Sequence, residues 1–152
     1  MKRRAWRIVK AKHAATAFDG EGARLFGGRW NSPGTRMIYT SATLSLAALE
    51  SLVHLSPPVL FKYVAIPVEF DESLIETLPA SALPADWTEE PPSPSTKSIG
   101  DRWVKEARSA VLEVPSVIIN AEPNYLLNLE HRDFKKVSIG KPVPFAFDPR
   151  LL

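Results

Sequence analysis

A glycine-rich turn carrying an arginine is the first feature of the sequence that could do chemistry. Residues 27–41 read GGRWNSPGTRMIYTS, with Arg29 directly after Gly27 and Gly28. A guanidinium binds a phosphate through two parallel hydrogen bonds, and glycines allow the backbone to approach such a ligand closely. An arginine in a turn can equally be a surface residue. The turn is therefore a candidate phosphate-binding site, with Gly28 and Arg29 as its candidate ligand-binding residues.

A lone carboxylate lies in the clearest helical segment of the chain. The apolar pattern of residues 42–55, ATLSLAALESLVHL, predicts a helix, and a period of 3.6 places Glu50 beside Leu46 and Ala47. Such a carboxylate is partly desolvated and needs a partner, for which an arginine would serve. Glu50 either forms a structural ion pair or faces a cleft in which positive charge develops during a reaction.

Two aromatic residues and a short polar pattern offer further candidates for ligand binding. Trp30 and Tyr39 could stack on a planar ring, although aromatic residues in strands are commonly part of the core. In VPSVIIN, alternation places Ser116 and Asn120 on one face of a predicted strand, where they present a hydroxyl and an amide. A serine at a strand end can also be a turn residue.

Several classes of chemistry find no support in the sequence. The chain has no cysteine, and its three histidines, His13, His54 and His131, lack the spacing of metal ligands. It contains no HExxH, GxSxG, GxGxxG or P-loop motif. We therefore expect no metal site, no serine-hydrolase triad and no nucleotide-kinase site.

The elements that must position these residues are predicted from hydrophobic periodicity and breakers. Strands are expected at 5–10, 36–41, 61–70, 116–120, 125–130 and 135–140. Helices are expected at 42–55, capped by Ser41 and ended by Pro57 and Pro58, and at 99–110, capped by Ser98. Pro67 indicates an edge strand or a bulge, residues 13–28 are expected to form a loop with at most one helical turn, and the proline-rich residues 78–95 are expected to form a loop. These elements predict the α+β class.

Composition bounds the kind of protein. With 152 residues, 45% hydrophobic and 24% charged, the chain fits one compact domain. Basic residues crowd the first twelve positions, which we interpret as a solvated terminus, with polyanion binding as the alternative; they are Lys2, Arg3, Arg4, Arg7, Lys10 and Lys12. Neither a signal-peptide pattern nor an 18-residue apolar span is present, so we expect a soluble cytoplasmic protein.

Three segments together carry a resemblance to a known family. GGRWNSPGTRMIYTS, the helix ATLSLAALESLVH with Glu50, and EVPSVIINAEPNYLLNLEHRDF resemble the RES-domain toxins of bacterial toxin-antitoxin systems. The likeness covers nearly the whole chain, so residues 1–152 are treated as one RES domain. It implies a fold related to ADP-ribosyltransferases, NAD as a substrate rather than a resident cofactor, and toxicity through NAD hydrolysis or phosphorolysis.

The resemblance also implies roles for individual residues. Arg29 would hold the NAD pyrophosphate or adjacent ribose, Tyr39 would stack on nicotinamide, and Glu50 would stabilise an oxocarbenium-like ribose. Ser116 would orient the ribose or Glu50. The expected catalytic residues are Glu50, Arg29 and Ser116, and the expected NAD-binding residues are Arg29, Tyr39, Trp30, Gly28, Ser116 and Asn120. Residues 128–131 depart from the family pattern, so Asn128 and His131 receive no role.

Partners and alternatives follow from the same resemblance. A cognate Xre-type antitoxin is expected to cover the active site, with nucleic acid contacted only through that antitoxin and no membrane association. One alternative function is ADP-ribosyl transfer to a cellular protein. Another is a non-catalytic or ribonucleolytic RNA-binding protein that uses the basic N-terminus.

Overall fold

An eight-stranded mixed sheet forms the centre of the computed structural model, which describes residues 1–55 and 61–151. Its strands are β1 Lys2–Lys10, β2 Ile38–Ser41, β3 Tyr63–Asp71, β4 Ile75–Thr77, β5 Val111–Pro115, β6 Pro123–Leu127, β7 Ser138–Ile139 and β8 Val143–Phe145. The strand order is β4-β5-β6-β2-β1-β3-β7, and β8 also pairs with β3. The β4–β5 pair is parallel and the other pairs are antiparallel.

Helices and short turns of 3-10 helix surround this sheet. The helices are α1 Glu21–Phe26, α2 Leu44–Leu52 and α3 Pro94–Lys105, and 3-10 turns occur at Ala11–Thr16, Glu72–Leu74, Ala80–Ala82, Arg132–Lys136 and Pro149–Leu151. In the described ranges, no helix has the length and apolar character needed to cross a bilayer. Separate helices on a largely antiparallel sheet form an α+β fold, which confirms the predicted class.

Hydrophobic cores cover both faces of the sheet. Along β5 and β6, Val111, Tyr125 and Leu127 belong to one core, whereas Leu112 and Leu126 belong to the other. Successive side chains of a strand point to opposite faces, so this alternation separates the two cores. The second core also contains Trp103 of α3, and α3 therefore packs on the face that carries Leu112 and Leu126.

The pairing between β1 and β2 is short. Strand β1 pairs with β3 along its whole length, but within the described residues it meets β2 at the pair Trp6–Ser41 alone. Arg7 directly follows Trp6, and its Nε donates to the Ala17 carbonyl at 2.7 Å and its Nη1 to the Tyr39 carbonyl at 3.0 Å. Burial lowers the pKa of Arg7 to about 10, against an opposing effect of Asp19. Arg7 is therefore half-buried and links β1 to the backbone at Ala17 and Tyr39. The prediction that Arg7 is a solvated surface residue is wrong.

Both predicted helix N-caps are wrong. Thr43, not Ser41, caps α2, because its Oγ1 accepts a hydrogen bond from Leu46 N at 3.0 Å. Ser41 is instead the last residue of β2. Helix α3 begins at Pro94 with Ser93 as its N-cap, earlier than predicted, since proline fits the first helical position. The predicted stop at Pro57 and Pro58 lies outside the described residues.

The predicted strand at 116–120 is also wrong, because β5 ends at Pro115. The Ser116 Oγ accepts hydrogen bonds from Ile118 N and Ile119 N, both at 3.1 Å, so its side chain replaces a strand partner and forms a turn. The expected strand at 135–140 shrinks to Ser138–Ile139, which follows the 3-10 turn Arg132–Lys136.

Pro67 does not mark an edge strand. Strand β3 lies between β1 on one side and the two short strands β7 and β8 on the other. The β8 partners of β3 end at Ala65 and its β7 partners begin at Val68, so Pro67 lies in the gap between them. Its missing N–H is therefore not needed by either short strand, while its carbonyl accepts a hydrogen bond from Gly140 N at 2.8 Å.

Candidate active site

Glu50 lies at the centre of a polar group that we call the carboxylate cluster, formed by the buried Ser41 and Ser116 and the half-buried Glu50 and Asn124. Glu50 Oε2 accepts a hydrogen bond from Ser116 Oγ at 3.3 Å and another from Asn124 Nδ2. These three residues come from α2, from the turn after β5 and from β6. Two separate elements therefore donate to one carboxylate oxygen of α2.

Strand pairing fixes one side of the cluster. Ser41 lies opposite Asn124 in the antiparallel β2–β6 ladder, and Ser41 Oγ donates to Asn124 Oδ1 at 2.7 Å. Since the carbonyl end of the amide accepts from Ser41, its NH₂ end is directed at Glu50. Ser41 is 4% exposed, so water does not compete freely for this hydroxyl.

The turn after β5 fixes the other side. Ser116 is fully buried, and its Oγ accepts two backbone N–H groups, which leaves its own proton to donate to Glu50. The Asn120 amide donates to the carbonyls of Ser116 at 2.9 Å and Val117 at 3.2 Å. Ser116 and Asn120 thus share a turn rather than a strand face, and Asn120 supports Ser116 through the backbone.

The partners of Glu50 differ from the arginine expected from the sequence. Among residues 1–55 and 61–151, Glu50 forms no ion pair, and its Oε1 has no hydrogen-bond partner. Two neutral donors orient the carboxylate without cancelling its charge. Such a fixed, uncompensated anion can stabilise positive charge that develops on a nearby atom.

Arg29 lies in a tight turn, residues 28–31, that we call the arginine turn. Gly28 N donates to Asn31 O at 3.0 Å, and the Tyr39 hydroxyl accepts from Trp30 N at 3.1 Å and donates to Asn31 Oδ1 at 2.6 Å. A Cβ at Gly28 would lie 2.6 Å from the Tyr39 hydroxyl. Close packing of Tyr39 therefore explains why position 28 is a glycine.

Asn31 secures this turn from inside. It is fully buried, and its Nδ2 donates to three carbonyl oxygens at 2.8 to 3.1 Å. These oxygens belong to Ala23, Ser32 and Thr35. The side chain therefore ties the arginine turn to α1 and to the segment that leads into β2.

Helix α3 holds the same turn from outside. A Cβ at Gly100 would lie 1.7 Å from the Trp30 carbonyl oxygen, so the helix backbone packs directly against the turn. Lys97 Nζ donates to Gly28 O at 3.1 Å, and Asp101 Oδ1 accepts from Ser32 N at 2.9 Å. Three successive contacts along α3 therefore fix the backbone that presents Arg29.

The two aromatic candidates have different surroundings. Trp30 is 2% exposed and packs in the second core, so its ring has no face open to a ligand and the expected stacking role does not fit its position. Tyr39 is half-buried. Burial raises the pKa of Tyr39, so its hydroxyl stays protonated at neutral pH and keeps donating to Asn31.

Arg29 is engaged rather than free on the surface. Its Nη1 donates to the carbonyls of Trp87 at 3.1 Å and Glu89 at 2.7 Å, and Nη2 pairs with Glu90 Oε2 at 2.7 Å. The Arg29 side chain is 15% exposed, whereas the Glu90 side chain is 70% exposed. A mostly buried cation thus has an anion at its outer end that solvent or a ligand can reach.

Strand β2 joins the two halves of the candidate site. Tyr39 and Ser41 are two residues apart and share one face, about 7 Å from each other along the strand. Among the described residues, no hydrogen bond joins Arg29 directly to Glu50. The site is therefore organised by the strand between them.

Sequence reasoning missed three residues that build this site: Ser41, Asn31 and Asn124. For Ser41 and Asn124 the available signal was a polar residue near a strand end, since Ser41 closes β2 and Asn124 lies at the start of β6. Their pairing depends on the register of the two strands, which periodicity does not define.

Comparisons with known proteins agree on one family. The family described as "RES domain" matches residues 4–148. The chain is similar to "Toxin Res" of Yersinia enterocolitica, with 38% identity over 96% of this chain and 97% of the relative. It is also similar to "Prs ADP-ribosylating toxin" of Sphingobium sp., with 34% identity over 97% of this chain and 95% of that protein.

A solved structure shares the fold. It is the crystal structure of the M. tuberculosis MbcT-MbcA toxin-antitoxin complex, with a TM-score of 0.75 and 18% identity over 96% of this chain and 85% of the matched chain. This likeness supports the observed arrangement of the sheet and helices. Together with the match over residues 4–148, these findings show that the chain belongs to the RES family.

Proposed function

We propose that the protein is the toxin of a toxin-antitoxin module and that it cleaves the bond between nicotinamide and ribose in NAD, with water or phosphate as the acceptor. The observation that carries this proposal is the environment of Glu50. Its carboxylate is oriented by two neutral donors, Ser116 and Asn124, and has no cationic partner among the described residues. A permanent counterion would weaken its attraction for a cationic reaction centre.

The proposed reaction uses that negative charge. The bond between the ribose C1 and the nicotinamide nitrogen breaks, and its electron pair leaves with nicotinamide, which departs as a neutral molecule and needs no general acid. The positive charge that develops on the ribose is stabilised by Glu50. An acceptor oxygen then bonds to C1: water releases one proton to solvent and yields ADP-ribose, whereas an anionic phosphate oxygen bonds directly and yields a phosphorylated ADP-ribose.

Ser116 acts as a positioning residue in this proposal. Its Oγ accepts two backbone N–H groups and donates its proton to Glu50, so the hydroxyl is fully used. A serine nucleophile would require a base to take up that proton during attack on the ribose. The arrangement thus favours orientation of Glu50 over covalent catalysis.

Arg29 and Tyr39 supply substrate binding. The Arg29 guanidinium would hold the pyrophosphate after the exposed Glu90 carboxylate moves aside, and the Tyr39 ring would stack on nicotinamide. Gly28 and Trp30 contribute to the site by packing within the arginine turn. Asn120 contributes by stabilising the turn that contains Ser116.

A second acceptor class is favoured by one relative. The Sphingobium protein is named an ADP-ribosylating toxin, so a protein side chain is the alternative acceptor for the same bond cleavage. The RNA-binding alternative is weakened, because two of the basic N-terminal residues, Arg3 and Arg4, form ion pairs with Glu72 at 3.5 Å and Glu69 at 2.6 Å. Such pairing lowers the positive potential offered to a polyanion.

An antitoxin is the partner that fits this activity. The matched solved structure is a toxin-antitoxin complex, which supports an antitoxin for this chain. We expect an Xre-type partner that blocks the site with a carboxylate placed against Arg29, where a substrate phosphate would otherwise bind. Both NAD and such a partner would meet the protein in the cytoplasm.

The direct test is product analysis with purified, partner-free protein. NAD is incubated with the protein in buffers with and without phosphate, and also with a cell extract, and all products are identified by mass spectrometry. Free ADP-ribose, phosphorylated ADP-ribose or a labelled protein identifies the acceptor. Intact NAD under all three conditions would refute the proposal.

Glu50→Gln provides the first prediction. The substitution keeps size but removes the charge, so NAD cleavage should fall by about 100-fold or more while the protein stays folded. Initial rates and thermal unfolding measure the two effects. The matched control is Glu122→Gln, which should leave the rate unchanged. The Glu122 carboxylate accepts a hydrogen bond from Thr43, the N-cap of α2, at 3.3 Å. An unaltered rate in folded Glu50→Gln would make Glu50 a structural residue.

A further inference from the structure

We propose that Asn124, oriented by Ser41, is a positioning residue that fixes the Glu50 carboxylate for the reaction. The inference rests on the proposed function and extends it to two residues outside the expected arginine, glutamate and serine set. Its basis is the chain of hydrogen bonds from Ser41 Oγ to Asn124 Oδ1 and from Asn124 Nδ2 to Glu50 Oε2.

The first step of the argument concerns which carboxylate oxygen is free. Ser116 and Asn124 both donate to Oε2 and approach it from different elements, the turn after β5 and strand β6. Two donors at one oxygen restrict rotation of the carboxylate about its terminal bond. Oε1, which has no hydrogen-bond partner among the described residues, is thereby left to face the ribose.

The second step concerns the orientation of the amide. A carboxamide has one acceptor end and one donor end, and the wrong end would place an oxygen against the Glu50 carboxylate. The Ser41 hydroxyl, placed opposite Asn124 by the β2–β6 register, binds the acceptor end at 2.7 Å. Ser41 thus determines that Asn124 presents its NH₂ group.

The third step separates a functional role from a structural one. A partly buried carboxylate loses hydration on folding, and here two neutral hydrogen-bond donors offset that loss, with no cationic partner among the described residues. Folding by itself would be served at least as well by an ion pair. An anion kept without a counterion is useful where a cation forms transiently.

The test compares kcat and KM for NAD in Asn124 variants. Asn124→Ala should lower kcat by about 10- to 100-fold, the effect of one hydrogen bond to a charged group, and leave KM within about twofold. Asn124→Asp keeps the shape but replaces the donor with an acceptor, so it should be as impaired as Asn124→Ala. An Asn124→Asp variant with normal kcat would show that shape alone is required and would overturn the proposal.

A double variant tests whether Asn124 acts through Glu50. In the Glu50→Gln background, measured in single turnovers at high protein concentration, adding Asn124→Ala should change the rate by less than about twofold. An additional loss as large as that in the unmodified background would overturn the inference, because Asn124 would then act independently of Glu50.

Two further variants keep the result interpretable. Asn128→Ala removes another amide just beyond β6, which is more buried than Asn124 and whose Oδ1 accepts from Glu130 N at 3.0 Å, and it should lower the unfolding temperature without changing kcat. If Asn124→Ala does not fold, Ser41→Ala decides, since it frees the amide to rotate and should reduce kcat about 3- to 10-fold. Normal kcat in both Ser41→Ala and Asn124→Ala would refute the positioning role of these two residues and leave the proposed function standing. An unmodified protein that leaves NAD intact would refute both the proposed function and this inference.

Discussion

At the residue scale, the Arg29 guanidinium is already paired within the protein. Its guanidinium is held by two carbonyl oxygens and by the Glu90 carboxylate, which is itself mostly exposed. The carbonyls orient the guanidinium, and the Glu90 carboxylate occupies its outer end. Under the proposed function, the NAD pyrophosphate would therefore have to replace Glu90 at Arg29.

Replacing Glu90 by Gln should consequently strengthen NAD binding. Removal of an exposed ion pair, worth about 0.2–1 kcal/mol, predicts a gain in affinity of up to about fivefold, which should shrink as salt is added. Calorimetry with the inactive Glu50→Gln protein measures this affinity without turnover.

Glu89→Gln is the matched control for this change, because Glu89 contacts Arg29 through its backbone carbonyl rather than its carboxylate. Its affinity for NAD should remain that of the parent protein. Weaker binding in the Glu90→Gln protein would mean that Glu90 shapes Arg29 for its ligand instead of competing with it.

At the scale of elements, α3 and β2 support the two sides of the site. Helix α3 contacts the arginine turn through Lys97 and Gly100, and Asp101 binds Ser32 directly after it. Strand β2 carries Tyr39, which binds that turn, and Ser41, which binds Asn124. Displacement of either element should therefore disturb catalysis from a distance.

Gly100→Ala tests the contact made by α3. A Cβ at this position would lie 1.7 Å from the Trp30 carbonyl, so the helix must shift, and we expect a loss of about 1–3 kcal/mol in the free energy of unfolding. Affinity for NAD should fall as well, because the arginine turn moves with its support. Denaturant titration and calorimetry measure the two effects.

The control is Gly22→Ala in α1, where an added Cβ meets nothing within 4 Å. Alanine favours a helix over glycine, so this variant should be as stable as the parent or slightly more so. Equal stability of the Gly100→Ala and Gly22→Ala proteins would contradict the close packing of α3 on the turn.

At the scale of the whole molecule, the proposed activity predicts damage to the cell that makes the protein. Expression without a partner should stop growth and lower the cellular NAD concentration, since a central cofactor is consumed. Expression of Glu50→Gln at the same level should do neither. Growth curves, NAD assays and immunoblots of the folded fraction provide the measurements.

Co-expression of the cognate antitoxin should restore growth by blocking access to Arg29 and Glu50. Purified complex should bind NAD more weakly than free toxin if the block is competitive. Normal growth and normal NAD in cells that contain ample folded, unmodified protein would argue against the toxin assignment.

Local sequence patterns were enough to predict much of the fold. Alternation located β3, composition located most of β1, a 3.6-residue period located α2, and the α+β class followed from their mixture. These signals are local, because side-chain direction within one element repeats with a fixed period. The motifs around Arg29, Glu50 and Ser116 likewise predicted the family, although the catalytic roles of these residues stay predictions.

Tertiary structure alone decided how those residues are held. The bond between Ser41 and Asn124 joins positions 83 residues apart, and that between Asn124 and Glu50 joins positions 74 apart. Both depend on the register of β2 with β6, and a slip of one residue would turn Asn124 to the opposite face. The neutral environment of Glu50 and the pairing of Arg29 with Glu90 therefore could not be read from sequence, since they arise only when distant segments meet.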